Sequence, residues 1–345
     1  MTDIESRANT SLQVVAWTTL ALLAFAGNSL LCRAALLPVG GRPAIDPLTF
    51  TAVRLVSGAL VLLPFLLRRE GPASSARPLP RRTGAAAVAL FGYAVAFSFA
   101  YVSLPTGVGA LLLFGSVQLC MLGVSRLREG PLGARRACGA LLAFTGLCVL
   151  VVPDILDGRG GVPASPGGES VGEPGIESAG EPGLEWGGVV AMVLAGVAWG
   201  AYTLLGRGSS SPTRQTARNF LLAAPCGMLV LGVAWATGRH AAFGLPDAAR
   251  WLQDLRGDDA GGAGRGLLLA LASGALCSGL GYAIWYRALR HHTAVSAALC
   301  QLTVPLLAAL LAALLLAEPL TPRWAVASVV VLGGVVLGSR PAGST

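Results

Sequence analysis

Residues 293–326 read TAVSAALCQLTVPLLAALLAALLLAEPLTPRWAV. From Thr293 to Ala317 this stretch carries no charge, and about 20 apolar residues suffice for a helix to cross a bilayer. Pro305 lies in its middle, where a helix in water would break; a membrane helix tolerates proline because neighbouring helices satisfy the freed carbonyl. The run stops at Glu318-Pro319-Leu320-Thr321-Pro322, a charge and two prolines suited to the water interface. A weaker copy, TGVGALLLFGSVQLCMLGVSRLREGP at 106–131, also ends in an acid, Glu129, followed by Pro131 and Leu132. Two such helices, one in each half, predict a duplicated membrane protein.

Composition agrees. The 345 residues are 54% hydrophobic and 12% charged, with a mean hydropathy of +0.67. Soluble domains carry roughly 25% charged residues, so this chain cannot clothe a soluble surface and reads as a polytopic membrane protein. The net charge of +8 comes from 25 basic residues, all arginine. They sit in short loops between apolar runs, which fits the positive-inside rule and excludes a nucleic-acid surface. The seven cysteines (Cys32, Cys120, Cys138, Cys148, Cys226, Cys277, Cys300) fall in apolar runs without CxxC spacing. They are read as small core residues, with no disulfide framework, metal site or cofactor.

Ten spans are expected, at about 14–36, 47–67, 84–103, 106–125, 134–153, 186–206, 217–237, 266–288, 293–316 and 323–339. The widest gap, 154–185, holds ESVGEPGI and ESAGEPGL in tandem. This acidic Gly/Pro/Glu segment is expected to be a disordered linker, dividing the chain into five-helix units at 1–153 and 186–345. In the 238–265 loop, residues 246–256 suggest a short surface helix. Sixteen arginines, those of the loops on the N-terminal side, face eight on the other. Both termini are therefore expected in the cytoplasm of a bacterial cell, with the protein in its plasma membrane.

The halves echo each other. Ala26-Gly27-Asn28-Ser29-Leu30-Leu31-Cys32-Arg33 ends the first span and Gly200-Ala201-Tyr202-Thr203-Leu204-Leu205-Gly206-Arg207 ends the sixth. With an odd number of spans per half, equivalent helices point in opposite directions. The expected fold is all-α: ten transmembrane helices in two inverted-topology repeats, a common plan for secondary transporters with a midplane site.

With these residues in view, the chain resembles the drug/metabolite transporter superfamily in its EamA-type ten-helix branch. The resemblance rests on Pro305 with Leu316-Ala317-Glu318-Pro319-Leu320, on Arg128-Glu129-Gly130-Pro131-Leu132, and on Arg54 in Phe50-Thr51-Ala52-Val53-Arg54-Leu55. The family typically places an aromatic, one or two small residues and an arginine at that second-span position. The likeness covers roughly 14–339 and implies an inverted-repeat carrier of small metabolites, often outward. The first half departs from the pattern: aligned on the two glutamates, Ser116 stands where the second half has Pro305.

The candidate site follows from polar groups inside spans. Arg54 is an intramembrane charge, suited to pairing with an anionic or zwitterionic substrate, to a gate, or to snorkelling. Asn28, Gln118 and Gln301 are intramembrane amides that line a cavity or tie helices together. Tyr202 and Tyr282 belong to an aromatic concentration with Trp199, Trp285 and Tyr286. Tyr282 is read as a substrate wall and Tyr286, beside Arg287, as part of the interfacial belt. Glu129, Pro305 and Glu318 are read as gating or structural, with helix termination the plain alternative for the two acids. The function expected is alternating-access transport of a small metabolite or drug-like solute, export rather than uptake. The competing classes are a channel and a lipid-acting membrane enzyme. No Ser/His/Asp set or carboxylate pair supports the enzyme. Proton or ion coupling and a homodimer stay open.

Overall fold

The computed structural model describes residues 2–36, 38–39, 42–43, 45–67, 81–103, 106–130, 133–156, 186–207, 209–237, 263–316 and 322–339. The linker repeat, the 246–256 segment and Glu318 lie outside the described residues. In chain order the helices are α1 (Thr2–Leu36), α2 (Pro47–Leu67), α3 (Arg81–Ser103), α4 (Thr106–Glu129), α5 (Ala134–Leu156), α6 (Trp186–Gly206) and α7 (Pro212–Ala236). They continue as α8 (Ala263–Ala272), a π-helical segment (Ser273–Leu280), α9 (Gly281–Leu289), α10 (Ala294–Gln301), α11 (Val304–Leu316) and α12 (Pro322–Ser339). Between α1 and α2, two-residue strands β1 (Pro38–Val39) and β2 (Arg42–Pro43) pair antiparallel, the one departure from an all-helical chain among the described residues.

Seven of the described helical stretches are long and apolar enough to cross a membrane: 12–36, 47–67, 82–102, 187–206, 212–236, 264–289 and 296–315. Side-chain distribution says the same. Large apolar groups such as Val88, Leu119, Leu314 and Val329 are about 70% exposed on the outside of the bundle. Arg54, Asn28, Gln118 and Gln301 are buried inside it. Such a surface suits lipid tails, where an outward apolar group costs nothing and an outward polar group costs several kcal/mol (roughly). The chain is a multi-pass membrane protein.

Local chemistry sets the helix starts. Asp46 caps α2, its Oδ1 accepting from the Thr49 N–H at 2.8 Å, and Pro47 follows at the first helical position, where no N–H is needed. Burial pushes the Asp46 carboxyl up, while the Thr49 and Leu48 N–H groups hold it down. The Thr293 hydroxyl caps α10 by accepting from the Ser296 N–H at 3.1 Å.

Two expectations are corrected here. The ninth span is not one helix with a proline tolerated in its middle. It breaks at Leu302 and Thr303, and Pro305 falls in the first turn of α11, where proline is compatible with helix geometry. The eighth span is not a uniform helix either; its middle eight residues widen into the π segment between α8 and α9.

Tight crossings hold the bundle. α5 lies against α12 so closely that a Cβ on Gly139 would stand 2.6 Å from the Gly338 nitrogen. α4 meets α6 at Gly196, where a Cβ would stand 2.6 Å from the Leu113 carbonyl. The Gly196-xxx-Gly200 and Gly334-xxx-Gly338 pairs thus serve contacts within the chain, where close backbone approach gains dispersion energy without a hydrophobic driving force. The other principal neighbours are α3 with α6 and α7, α2 with α7, α8 and the π segment, α1 with α8, α9 and α11, and α4 with α10.

Candidate functional site

Arg54 lies at the centre of the bundle, 1% exposed. Its Nε donates to the Ser278 hydroxyl at 2.8 Å, and its Nη2 donates to the hydroxyls of Tyr282 at 2.5 Å and Tyr93 at 3.3 Å. The guanidinium carbon stands 5.3 Å from the Tyr93 ring centre and 5.5 Å from that of Phe97, close enough for cation–π attraction. Nη1 is buried and has no hydrogen-bond partner. No carboxylate approaches the group among the described residues; its electrostatic neighbours are Tyr282, Tyr93 and Cys32. An arginine cannot shed its proton to escape burial, so one full positive charge is held here by neutral groups alone.

The elements that deliver these partners meet through small residues. Gly58 of α2 and Gly274 of the π segment put the two backbones in contact, so a side chain on Gly274 would collide with the Arg54 backbone and Ser57. In a π helix successive turns hold an extra residue, which rotates the following side chains relative to an α helix. Here the segment presents Ser278 to Arg54 and Ser273 to Asn28, whose Oδ1 accepts from the Ser273 hydroxyl at 2.6 Å. On the other side, the Thr51 hydroxyl donates to Ser98 at 2.8 Å and ties α2 to α3 beside Tyr93.

In front of Tyr93 and Tyr282 lies a cavity lined by Phe25, Asn28, Ser29, Tyr93, Phe97, Leu113, Phe114, Trp199 and Tyr282. About 20 Å³ of it is open to the centre of a water molecule, room for about one water. The aromatic wall is continuous. Trp199 packs on Tyr282 at 4.6 Å, on Tyr93 at 5.0 Å and edge-on to Phe25 at 5.3 Å between ring centres. Edge and tilted arrangements are those the ring quadrupoles favour.

Of the expected site residues, Asn28 and Tyr282 line this cavity, and Arg54 sits one layer behind it, joined to it through two tyrosine hydroxyls. Gln301 acts at second hand: its Oε1 accepts from the Trp199 indole N–H at 2.5 Å, fixing that wall. Tyr202 is fully buried beside Trp199 and Tyr282, outside the cavity lining. Gln118 is also buried away from it, and neither amide atom has a partner. Pro305 is buried at the start of α11, and the side chains of Glu129 and Glu318 lie outside the described residues.

The belt assignment of Tyr286 is overturned. It is 2% exposed, donates to the Tyr202 carbonyl at 2.5 Å and lays its ring on Gly206, where the absent side chain leaves the space. Tyr93, Phe97, Phe25 and Ser278 were not singled out by the sequence. Tyr93 and Ser278 carried a sign of their roles, a hydroxyl in mid-span; Phe25 and Phe97 look like ordinary core.

At the end of the bundle nearest the start of α1, the 290–293 turn is tied down. His292 Nε2 meets the Thr18 hydroxyl at 3.0 Å and its Nδ1 meets Ser296 at 3.0 Å. Arg207 donates to the His292 carbonyl at 3.3 Å, and Arg290 donates to the Ser209 carbonyl at 2.7 Å and to that of Ser210. The Arg287 guanidinium lies 4.9 Å from the Trp17 ring centre. Burial, then the neighbouring His291, push the His292 imidazole below its ordinary pKa.

A helical membrane protein with small-residue crossings, a broken span and a buried cationic site behind an aromatic cavity has the makings of a solute carrier. Comparison with known proteins gives the family. The model of the EamA-like transporter family matches twice, over residues 12–152 and 186–340. The chain belongs to that family, within the drug/metabolite transporter superfamily. It is 47% identical over 324 residues to an uncharacterized protein of Pseudomonas aeruginosa, covering 94% of this chain and 93% of that one. A solved crystal structure superposes with a TM-score of 0.67 at 19% identity, covering 94% of this chain and 96% of the other; at that identity the likeness speaks for the fold.

Proposed function

We propose that this protein is a secondary transporter that carries a small organic solute across the bacterial plasma membrane by alternating access, in the export direction that its family resemblance implies. The reading takes α1 to α7, the α8–π–α9 unit, the α10–α11 pair and α12 as ten spans in two inverted five-helix halves, 1–153 and 186–345, joined by the 154–185 linker. Both termini are cytoplasmic in this arrangement.

The contact pattern supports the halves. Exchange each span with the one five places on. The pairs α5–α12 and α2–α7 then map onto themselves, α3–α6 maps onto α1 with α8–α9, α4–α6 onto α1–α11, and α3–α7 onto α2 with α8 and the π segment. The family model's two matches, one per half, point the same way. A two-fold arrangement of this kind lets the halves rock about a central site and open it to one face at a time.

The observation that carries the function is Arg54. A structural arginine in a membrane interior is normally neutralised or sits in water, whereas this one is enclosed, uncompensated among the described residues, and coupled to the cavity through Tyr93 and Tyr282. The test compares metabolite pools inside and outside cells with the gene deleted and overexpressed. One compound class should leave the cell in proportion to gene dosage. Arg54→Ala should reduce that flux at least about a hundredfold, the order expected when a charge-assisted contact is removed, with the protein still in the membrane. Normal flux in Arg54→Ala would remove Arg54 from transport, and pools indifferent to dosage would defeat the carrier reading.

A further inference from the structure

We propose that the solute is a monocarboxylate with an apolar, ring-sized body, and that its carboxylate is received by Tyr93 and Tyr282 against the charge of Arg54. The proposal rests on the transport reading above and adds the substrate class.

The argument is one of protons and charge. Arg54 donates to the oxygen atoms of both tyrosine hydroxyls, so neither phenolic hydrogen is spent on Arg54. The two hydroxyls together keep two hydrogens. If Tyr282 donates to Tyr93, the Tyr93 hydrogen is left for the cavity that both residues line; if Tyr93 donates to Tyr282, the Tyr282 hydrogen is shared between the cavity and the neighbouring Ser278 hydroxyl. A phenol whose oxygen accepts from a guanidinium is a stronger donor through polarisation of the chain. The unpartnered Nη1 adds two more N–H groups on the same guanidinium. The remaining polar lining offers no carboxylate: Asn28 uses its carbonyl oxygen on Ser273, and Ser29 turns its hydroxyl to the Phe25 carbonyl. The rest of the wall is Phe25, Phe97, Leu113, Phe114 and Trp199, an apolar, largely aromatic surface suited to packing on a ring; with room for about one water the cavity is in its closed form, and a ring enters only as the two halves part in the alternating-access cycle.

One positive charge and a set of donors are neutralised by one negative charge that accepts. A monoanion brings the enclosed site to net zero. A zwitterion leaves it at plus one, with an ammonium group facing no described carboxylate, and a cation adds repulsion at low dielectric. The site therefore selects against free amino acids and amines that share the same ring.

The test uses the full-length protein and four probes of matched body: 3-phenylpropionate, phenylalanine, 2-phenylethylamine and 2-phenylethanol. Each is titrated to millimolar concentration against the thermal melting of the purified protein, and each is followed as labelled tracer in counterflow into proteoliposomes at pH 8. The expected result is that 3-phenylpropionate binds at least about tenfold more tightly than the other three, one charge-assisted bond's worth, and shows saturable counterflow. Arg54→Gln should remove the preference. Tyr282→Phe keeps the ring and the fold and should weaken the anion about three- to tenfold, a larger loss than for 2-phenylethanol, whose neutral oxygen makes the weaker bond. Absence of a melting shift with 3-phenylpropionate, or equal or tighter binding of phenylalanine or 2-phenylethylamine, overturns the carboxylate assignment. Counterflow of the zwitterion or the amine in that event leaves the carrier reading standing. Counterflow of no probe, together with metabolite pools indifferent to gene dosage, takes the carrier reading down as well.

Discussion

At the scale of single residues, the protein places polar groups where membrane interiors exclude them and then satisfies them selectively. Tyr286 shows the satisfied kind. Its hydroxyl closes on the Tyr202 carbonyl and its ring fills the room at Gly206. Tyr286→Phe keeps the ring and deletes one buried bond, so the melting temperature of the purified protein should fall by an amount equivalent to about 1 kcal/mol, with solute preference unchanged. Arg54 shows the other kind, since part of its hydrogen-bonding capacity is left open next to a cavity. That difference could not be read from the chain. Both residues are polar groups in apolar runs, and only the partners brought by distant segments, 224 and 228 positions away for Ser278 and Tyr282, separate a structural bond from an available one.

At the scale of elements, the π segment and the 290–293 turn carry the specific behaviour. Gly274 lies where α2 and the π segment touch backbone to backbone. Gly274→Ala should force the two apart, costing roughly 1–3 kcal/mol as overpacking does and displacing Ser278 from Arg54. The measurement is the melting temperature together with solute affinity, and both should drop. The turn makes a pH prediction. The Thr18 hydroxyl spends its hydrogen on the Val14 carbonyl at 2.7 Å, so it accepts from His292 Nε2, and in the neutral ring Nδ1 then accepts from the Ser296 hydroxyl. Burial disfavours the charged imidazole in the folded protein, and the neighbouring His291 adds to that preference.

Because the His292 pKa is lowered by folding, the unfolded chain takes up a proton that the folded chain refuses. This group's contribution is present above the ordinary value of 6.5 and is lost as pH falls below it through the lower folded value. Melting measured from pH 8 to pH 5 should show wild type losing stability below about pH 6.5 more steeply than His292→Gln. Parallel curves would mean that the turn does not titrate in that window.

At the scale of the whole molecule, the arginine asymmetry predicts sidedness. A green fluorescent protein fused to the C-terminus should be fluorescent and an alkaline phosphatase fused there inactive, since the first matures in the cytoplasm and the second only outside it. The reverse pattern would invert the bundle and place the His292 turn on the outer face. The protein's class was legible without coordinates because a bilayer imposes a simple rule. Spans must be apolar, long enough, and free of unsatisfied backbone, and each of those demands is written locally. Seven of the described helical stretches are long and apolar enough to span; the first helix starts well before the apolar run, the fourth and fifth end beyond it, and the expected eighth and ninth spans are interrupted.

What the sequence determined by itself is therefore the class: a multi-pass membrane protein, with arginine concentrated outside the apolar runs and one arginine in mid-span. Those are properties of residues counted along the chain, and burial in lipid reads them one segment at a time. The tertiary structure decided which buried polar groups are spoken for and which face a cavity. That choice depends on a π segment, on a break before Pro305 and on glycines that set helix separation. Each of these acts through contacts between segments far apart in sequence, where a shift of one residue in register changes the partner of every hydroxyl.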